Sequence, residues 1–205
     1  MLERSDLLVP LLVFCAVTLI TPGPNNLMLM TSGLNFGFRK AVPHMLGVAL
    51  GFGFLVLCVG LGLGVVFTHY PVLYSIIKYA GAGYMLYLAW MIARTDTVQG
   101  DANADEKTPI SFMQAALFQW INPKAWVMAV GAVSGYAAIA GYPLNMLLIA
   151  GSFALLGIGS SVTWAGLGTV LQNFLHKPKI LRAFNVLMAM LLAASLYPIF
   201  ADAWR

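Results

Sequence analysis

The chain predicts an all-α membrane protein of six transmembrane helices, a 3+3 inverted repeat whose first and fourth helices are interrupted. Three observations predict it: long charge-free apolar runs, motifs that recur at a shift near 100 residues, and Pro/Asn clusters inside two of the runs. Of 205 residues, 60% are hydrophobic and 9% charged, and mean hydropathy is +0.85, against about 25% charge in soluble domains. No Asp, Glu, Lys or Arg occurs in Leu7–Phe38, Ala41–Ile77 or Ala125–His176. A bilayer core of roughly 30 Å takes about 20 apolar residues per helix, so each run holds a crossing and part of another.

In chain order the helices are expected near Leu7–Ser32, Val42–Phe67, Val72–Ala93, Ile110–Ala140, Leu144–Leu171 and Ile180–Ala201. Helix 1 competes with a signal peptide, but Glu3 and Asp6 flank Arg4 and no A-x-A-like site follows. The one sizeable polar stretch, Arg94 to Thr108, divides the chain. The whole, 1–205, reads as one integral membrane domain: repeat 1 about 7–93, a cytoplasmic loop 94–108, repeat 2 about 110–201.

The basic residues set an orientation. Loops 1–2, 3–4 and 5–6 hold Arg39, Lys40, Arg94, Lys107, Lys177, Lys179 and Arg182, while the opposite side holds Arg4, Lys78 and Arg205. Positive-inside bias puts the first set in the cytoplasm and both termini outside, in the periplasm of a Gram-negative cell. The net charge of +4 is thus topological, and no nucleic-acid surface is expected. Cys15 and Cys58 sit in apolar runs, where a thiol acts as a small hydrophobe.

The halves echo each other. Phe67-Thr-His69-Tyr-Pro71 recurs as Phe174-Leu-His176-Lys-Pro178, Gly62-Leu-Gly64 as Gly166-Leu-Gly168, Gly51 as Gly151, Pro43 as Pro143, and Pro22 and Pro24 answer Pro123. With three helices per half, the second copy must cross the membrane in the opposite sense, as in many secondary transporters. Biased composition in a Gly-rich chain is the competing explanation.

The chemistry concentrates in two clusters. Thr21-Pro22-Gly23-Pro24-Asn25-Asn26 removes two backbone donors inside helix 1, so the helix should break there and face the bundle interior. A second half-helix should begin near Pro24, with Asn25 or Asn26 bonding its open amides. Gln119-Trp120-Ile121-Asn122-Pro123-Lys124 is the counterpart in helix 4, and Lys124 is the one cation well inside an expected span. An intramembrane charge marks a functional site by default; snorkelling to an interface or capping another helix's broken end is the alternative for Lys124. Asn25, Asn26, Asn122 and Lys124 are the expected substrate-binding residues, and Pro22, Gly23, Pro24 and Pro123 the expected helix-break or gating residues.

Six of the seven carboxylates lie in the N-terminal tail or the 94–108 loop, and Asp202 is near the C-terminus. An intramembrane carboxylate relay is therefore not expected. Proton coupling would fall to Lys124, a histidine or the substrate, with His44 read as an interfacial residue at the start of helix 2. Glycines Gly47 and Gly51, and the Ala80–Gly83 run, read as close helix packing. Ser160, Ser161 and Thr163 read as backbone-bonded rather than as substrate ligands. No H-E-x-x-H, G-x-S-x-G, Walker loop or Cys/His metal spacing occurs. No catalytic residue, cofactor or metal is expected, and ATP-driven transport would need a partner chain.

Thr21–Asn26, the Gly37-Phe-Arg39 start of loop 1–2 and Asn122-Pro-Lys124 together resemble the LysE/RhtB family of amino-acid exporters. The pattern is similar to its cysteine/O-acetylserine branch, though that branch need not keep the proline of Asn-Pro-Lys. The resemblance implies efflux of a neutral or basic amino acid, a lactone or a cysteine precursor, driven by the proton or membrane potential. Expected partners are a small amino-acid substrate and the bilayer of the bacterial inner membrane, and a homo-oligomer is left open. Two other readings stand beside export: a membrane-embedded assembly subunit or integral enzyme, and a carrier whose role is import.

Overall fold

The computed structural model describes residues 3–63, 69, 71–95, 108–175 and 178–197. Among them are eight α-helices: α1 Leu8–Ile20, α2 Pro24–Phe36, α3 Phe38–Cys58, α4 Pro71–Ala93, α5 Phe112–Phe118, α6 Pro123–Tyr136, α7 Leu144–Gln172 and α8 Pro178–Ala194. Most of the 94–108 loop, the repeat-motif residues Gly64, Phe67, His176 and Lys177, and the C-terminal tail with Asp202 and Arg205 lie outside the described residues. Among the described residues two segments are long and apolar enough to cross a membrane, α3 with its continuation to Leu63 and α7. α1 and α2 qualify together as a third, bent by 57° at their break.

Two apolar clusters fill the bundle, and α3 supplies both. Ala41, Met45 and Val48 join α2, α4, α5 and α8 around Met28, Leu88 and Phe118. Phe52, Leu55 and Val56 join α1, α6 and α7 around Leu11, Ala129 and Phe153. The outer surface is apolar too: Val127 and Leu155 are 73% and 71% exposed. Large aliphatic groups turned outward from helices, with so few charges, suit acyl chains and would cost heavily in water.

Several boundaries differ from the sequence expectation. Arg39 and Lys40, expected in a loop, lie in the first turn of α3, because Gly37 at φ 80° reverses the chain in a single residue. Pro43 sits inside α3 rather than opening it, while Pro143 precedes α7. α3 runs into a π-helical segment, Val59–Leu63, with Gly62 at φ 110°. Helix 4 starts later than expected: Ser111 caps α5, its hydroxyl accepting from the Gln114 amide while Gln114 Oε1 accepts from the Ser111 amide, a reciprocal capping box. Pro71 and Pro178, the matched prolines, open α4 and α8, where a missing N–H costs nothing.

Glycine packing is direct at particular contacts. A Cβ on Gly47 would collide with the Phe112 carbonyl, and one on Gly81 with Ile121, bringing α5 and its following turn against α3 and α4. The tightest approach joins α2 and α7. A Cβ on Gly33 would strike the Ala165 carbonyl, and one on Gly168 the Met30 carbonyl, so the two helices touch main chain to main chain. His44, at the start of the expected helix 2, is fully buried in the bundle, its Nδ1 2.8 Å from the Ser32 hydroxyl.

Candidate functional site

The helix breaks expected near Pro22–Asn25 and Asn122–Lys124 are both present, and they meet. α1 ends at Ile20, Thr21 is extended, and α2 restarts at Pro24 after an extended Gly23. Pro22 and Pro24 bring no N–H and Thr21 leaves the helical path, so the last carbonyls of α1 need donors from elsewhere. Asn26 Nδ2 donates to the carbonyls of Leu19 (3.0 Å) and Thr21 (2.8 Å). Ser160 Oγ, from α7, donates to Leu19 at 2.9 Å. The Lys124 ammonium donates to the Thr21 carbonyl.

This geometry corrects one expectation. Asn26 closes the carbonyl end of α1 and not the amide end of α2, whose N-cap, Gly23, has no side chain to offer. A cation on the last carbonyls of α1 also meets the negative end of that helix dipole. Gly23 leaves room for the lysine chain: a Cβ there would lie 2.9 Å from Lys124 Cδ.

The second break is closed by its own neighbours. Behind α5, the amides of Gln119, Trp120 and Ile121 bond three residues back, which tightens the final turn. Asn122 then caps α6, its Oδ1 accepting from the Lys124 amide at 3.1 Å, with Pro123 at the first helical position. Trp126 Nε1 donates across the break to the Trp120 carbonyl at 2.8 Å.

A reciprocal amide pair ties the breaks together. Asn25 Nδ2 donates to Gln119 Oε1 at 2.8 Å, and Gln119 Nε2 donates back to Asn25 Oδ1 at 3.1 Å and to the Ala115 carbonyl at 2.8 Å. Between the breaks and α7 lies a narrow cavity of about 30 Å³. Asn25, Asn26, Asn122, Lys124 and Gly23 line it, as do Val48, Ala49 and Phe52 of α3 and Ser160 and Ser161 of α7. All four residues expected to bind substrate thus converge on one space. The prolines shape the breaks without lining the cavity. Gln119, Ser160 and Ser161 join the site beyond the sequence reading. Ser160 is bonded to backbone, as read, but to that of α1.

Polar neighbours continue along α2. Asn35 and Asn185 form a second reciprocal pair, at 3.0 and 2.9 Å, and Asn185 also donates to the Thr95 carbonyl at 2.6 Å. α2 is therefore held by side-chain amides at both ends. Among the described residues no group of three His, Cys, Asp or Glu is placed to hold a metal.

A family model described as LysE type translocator matches residues 16–195. The cysteine/O-acetylserine efflux protein of Escherichia coli (strain K12) is 29% identical over 181 residues, covering 87% of this chain and 90% of that protein. The protein of the same name from Salmonella typhimurium (strain LT2) is 30% identical over 182 residues, with the same coverage. No solved structure matches the chain.

Proposed function

The chain belongs to the LysE type translocator family, and from that premise we propose that it is a secondary transporter exporting small amino acids or their derivatives across the bacterial inner membrane. It is a transporter and not an enzyme. We read α1–α2 and α5–α6 as the first and fourth of six spans, with α3, α4, α7 and α8 as the others, in a 3+3 inverted repeat with both termini outside. The proton or membrane potential drives it.

The observation that carries this reading is the meeting of two broken helices on a polar cavity inside an otherwise apolar bundle. Backbone breaks in a membrane domain are tolerated where protein or water satisfies them, which is how carriers build a midplane site. Lys124 supplies the charge. Its ammonium uses one donor on the Thr21 carbonyl and has two more for a substrate carboxylate, beside the uncapped amide end of α2. Both sequence alternatives for this residue meet here, since it caps a broken helix and lines the cavity. Exchanging the carbonyl for a carboxylate would couple binding to the geometry of the first break.

Cysteine and O-acetylserine, named for the relatives, are the first substrates to assay. The test is export profiling on overexpression with dipeptide feeding, followed by amino-acid counterflow in liposomes. Accumulation outside and accelerated counterflow are expected. Failure of every amino acid in counterflow would leave the assembly-subunit or integral-enzyme reading. For the six-span arrangement, cysteines placed in both tails should react with an impermeant reagent from the periplasm, and reaction of one tail alone would refute it.

A further inference from the structure

Hydrogen bonds around the cavity leave four valences unfilled. Asn26 uses both N–H groups on the Leu19 and Thr21 carbonyls, which fixes its amide orientation and leaves Oδ1 without a donor. Asn122 accepts the Lys124 amide on Oδ1, which leaves Nδ2 without an acceptor. The Ser161 hydroxyl has no hydrogen-bond partner among the described residues. Lys124 keeps donors to spare. Asn26, Asn122 and Ser161 are 6%, 2% and 1% exposed, and all three line the cavity. Polar groups so buried need water or a ligand.

The four valences fall into two kinds. Lys124 and Asn122, at the start of α6, offer donors. Asn26 Oδ1, on α2, offers an acceptor, and the Ser161 hydroxyl, on α7, offers lone pairs beside it together with one O–H donor. A carboxylate only accepts and an ammonium only donates, so this set complements an α-amino-acid zwitterion. Among the described residues no Asp or Glu lines the cavity, and Lys124 is the one charged residue on its wall.

We propose that Asn26 Oδ1 and the Ser161 hydroxyl receive the substrate's α-ammonium, and that this neutral acceptor pair makes the site selective for net-neutral zwitterions over amino acids with a second cation. The proposal rests on the exporter reading and on the carboxylate at Lys124. The ammonium is balanced by its own carboxylate, so neutral oxygens suffice for it. A side-chain cation would enter a half-closed space with no counter-charge and with Lys124 already positive.

The test uses the full-length protein in liposomes, with L-serine counterflow competed by L-glycerate (no ammonium), L-serinamide (no carboxylate) and L-2,4-diaminobutyrate (a second cation). Wild type should prefer serine over each by about tenfold or more, the scale of one charge-assisted hydrogen bond. Ser161→Ala should shrink the serine-to-glycerate ratio and leave the serine-to-serinamide ratio in place; Ser161→Thr, keeping the hydroxyl, should restore it. Ser161→Asp should raise diaminobutyrate competition about tenfold, and it serves if the alanine variant does not accumulate. A serine-to-glycerate ratio unmoved in Ser161→Ala, or wild type that takes diaminobutyrate as readily as serine, overturns the proposal and leaves export intact. Absence of counterflow with serine, cysteine and alanine alike removes both.

Discussion

The two helix breaks look alike in sequence and are held in opposite ways. The α5–α6 break is closed from within: three short-range amide bonds, the Asn122 cap and the Trp126–Trp120 bond all come from residues within a few positions. The α1–α2 break adds remote groups to one nearby cap: Asn26 reaches back from beyond the kink, while Ser160 lies 141 residues from Leu19 and Lys124 103 residues from Thr21. A self-capped break keeps its shape whatever its neighbours do. A break capped by remote groups changes when those groups find other partners, and Lys124, with donors to spare, is the group a substrate anion would draw away. We therefore read the second break as the platform and the first as the responsive element.

The largest expected effect is on transport. Lys124→Met keeps length and apolar contact but removes the charge, and should lower efflux by about tenfold or more while membrane yield stays near wild type. Full efflux by this variant would make Lys124 a helix cap and nothing more. Next comes stability at the first break: Asn26→Ala removes two buried donors and should destabilise by about 2 kcal/mol, read as a lower melting temperature in detergent. Asn122→Ala removes one cap and should cost about 1 kcal/mol. Asn26 closes two carbonyls and Asn122 one amide, so equal losses in these two variants would show that the second Asn26 bond contributes nothing. Gly23→Ala should have the smallest effect on folding. Gly23 is already extended and the colliding atom belongs to the flexible lysine chain, so the melting temperature should hold while efflux falls as Lys124 is displaced. A variant that melts early instead would locate the demand for glycine in the backbone.

Sequence showed the breaks because proline removes a donor wherever it stands, and a Pro-Gly-Pro or Asn-Pro cluster in an apolar run has few other meanings. It showed the helices because charge-free runs of this length have nowhere to go but lipid. Partners were harder. The Asn25–Gln119 pair joins residues 94 apart, and nothing local in either segment announces the other. Ser161 looked ordinary because helical serines usually bond the carbonyl four residues back; a hydroxyl without that bond is visible only once the packing is known. Arg39 and Lys40 were read as loop because charge usually ends a span, yet long basic side chains reach the headgroups from a first helical turn. The partner of His44 was equally hidden, since the face of α3 that it occupies turns inward against Ser32.

The glycine contact between α2 and α7 has a mechanical consequence. Interlocked side chains resist sliding because each knob must leave its hole before the helices can shift. Here Gly33 and Gly168 place bare peptide groups against each other instead, and the Thr169 hydroxyl donates to the Gly33 carbonyl at 3.3 Å across the same contact. The junction therefore pins α2 to α7 at one point along its length, while the amide pairs at Asn25 and Asn35 hold its two ends. Filling either glycine with alanine would force the helix axes apart, and the damage would register at both ends of α2 at once.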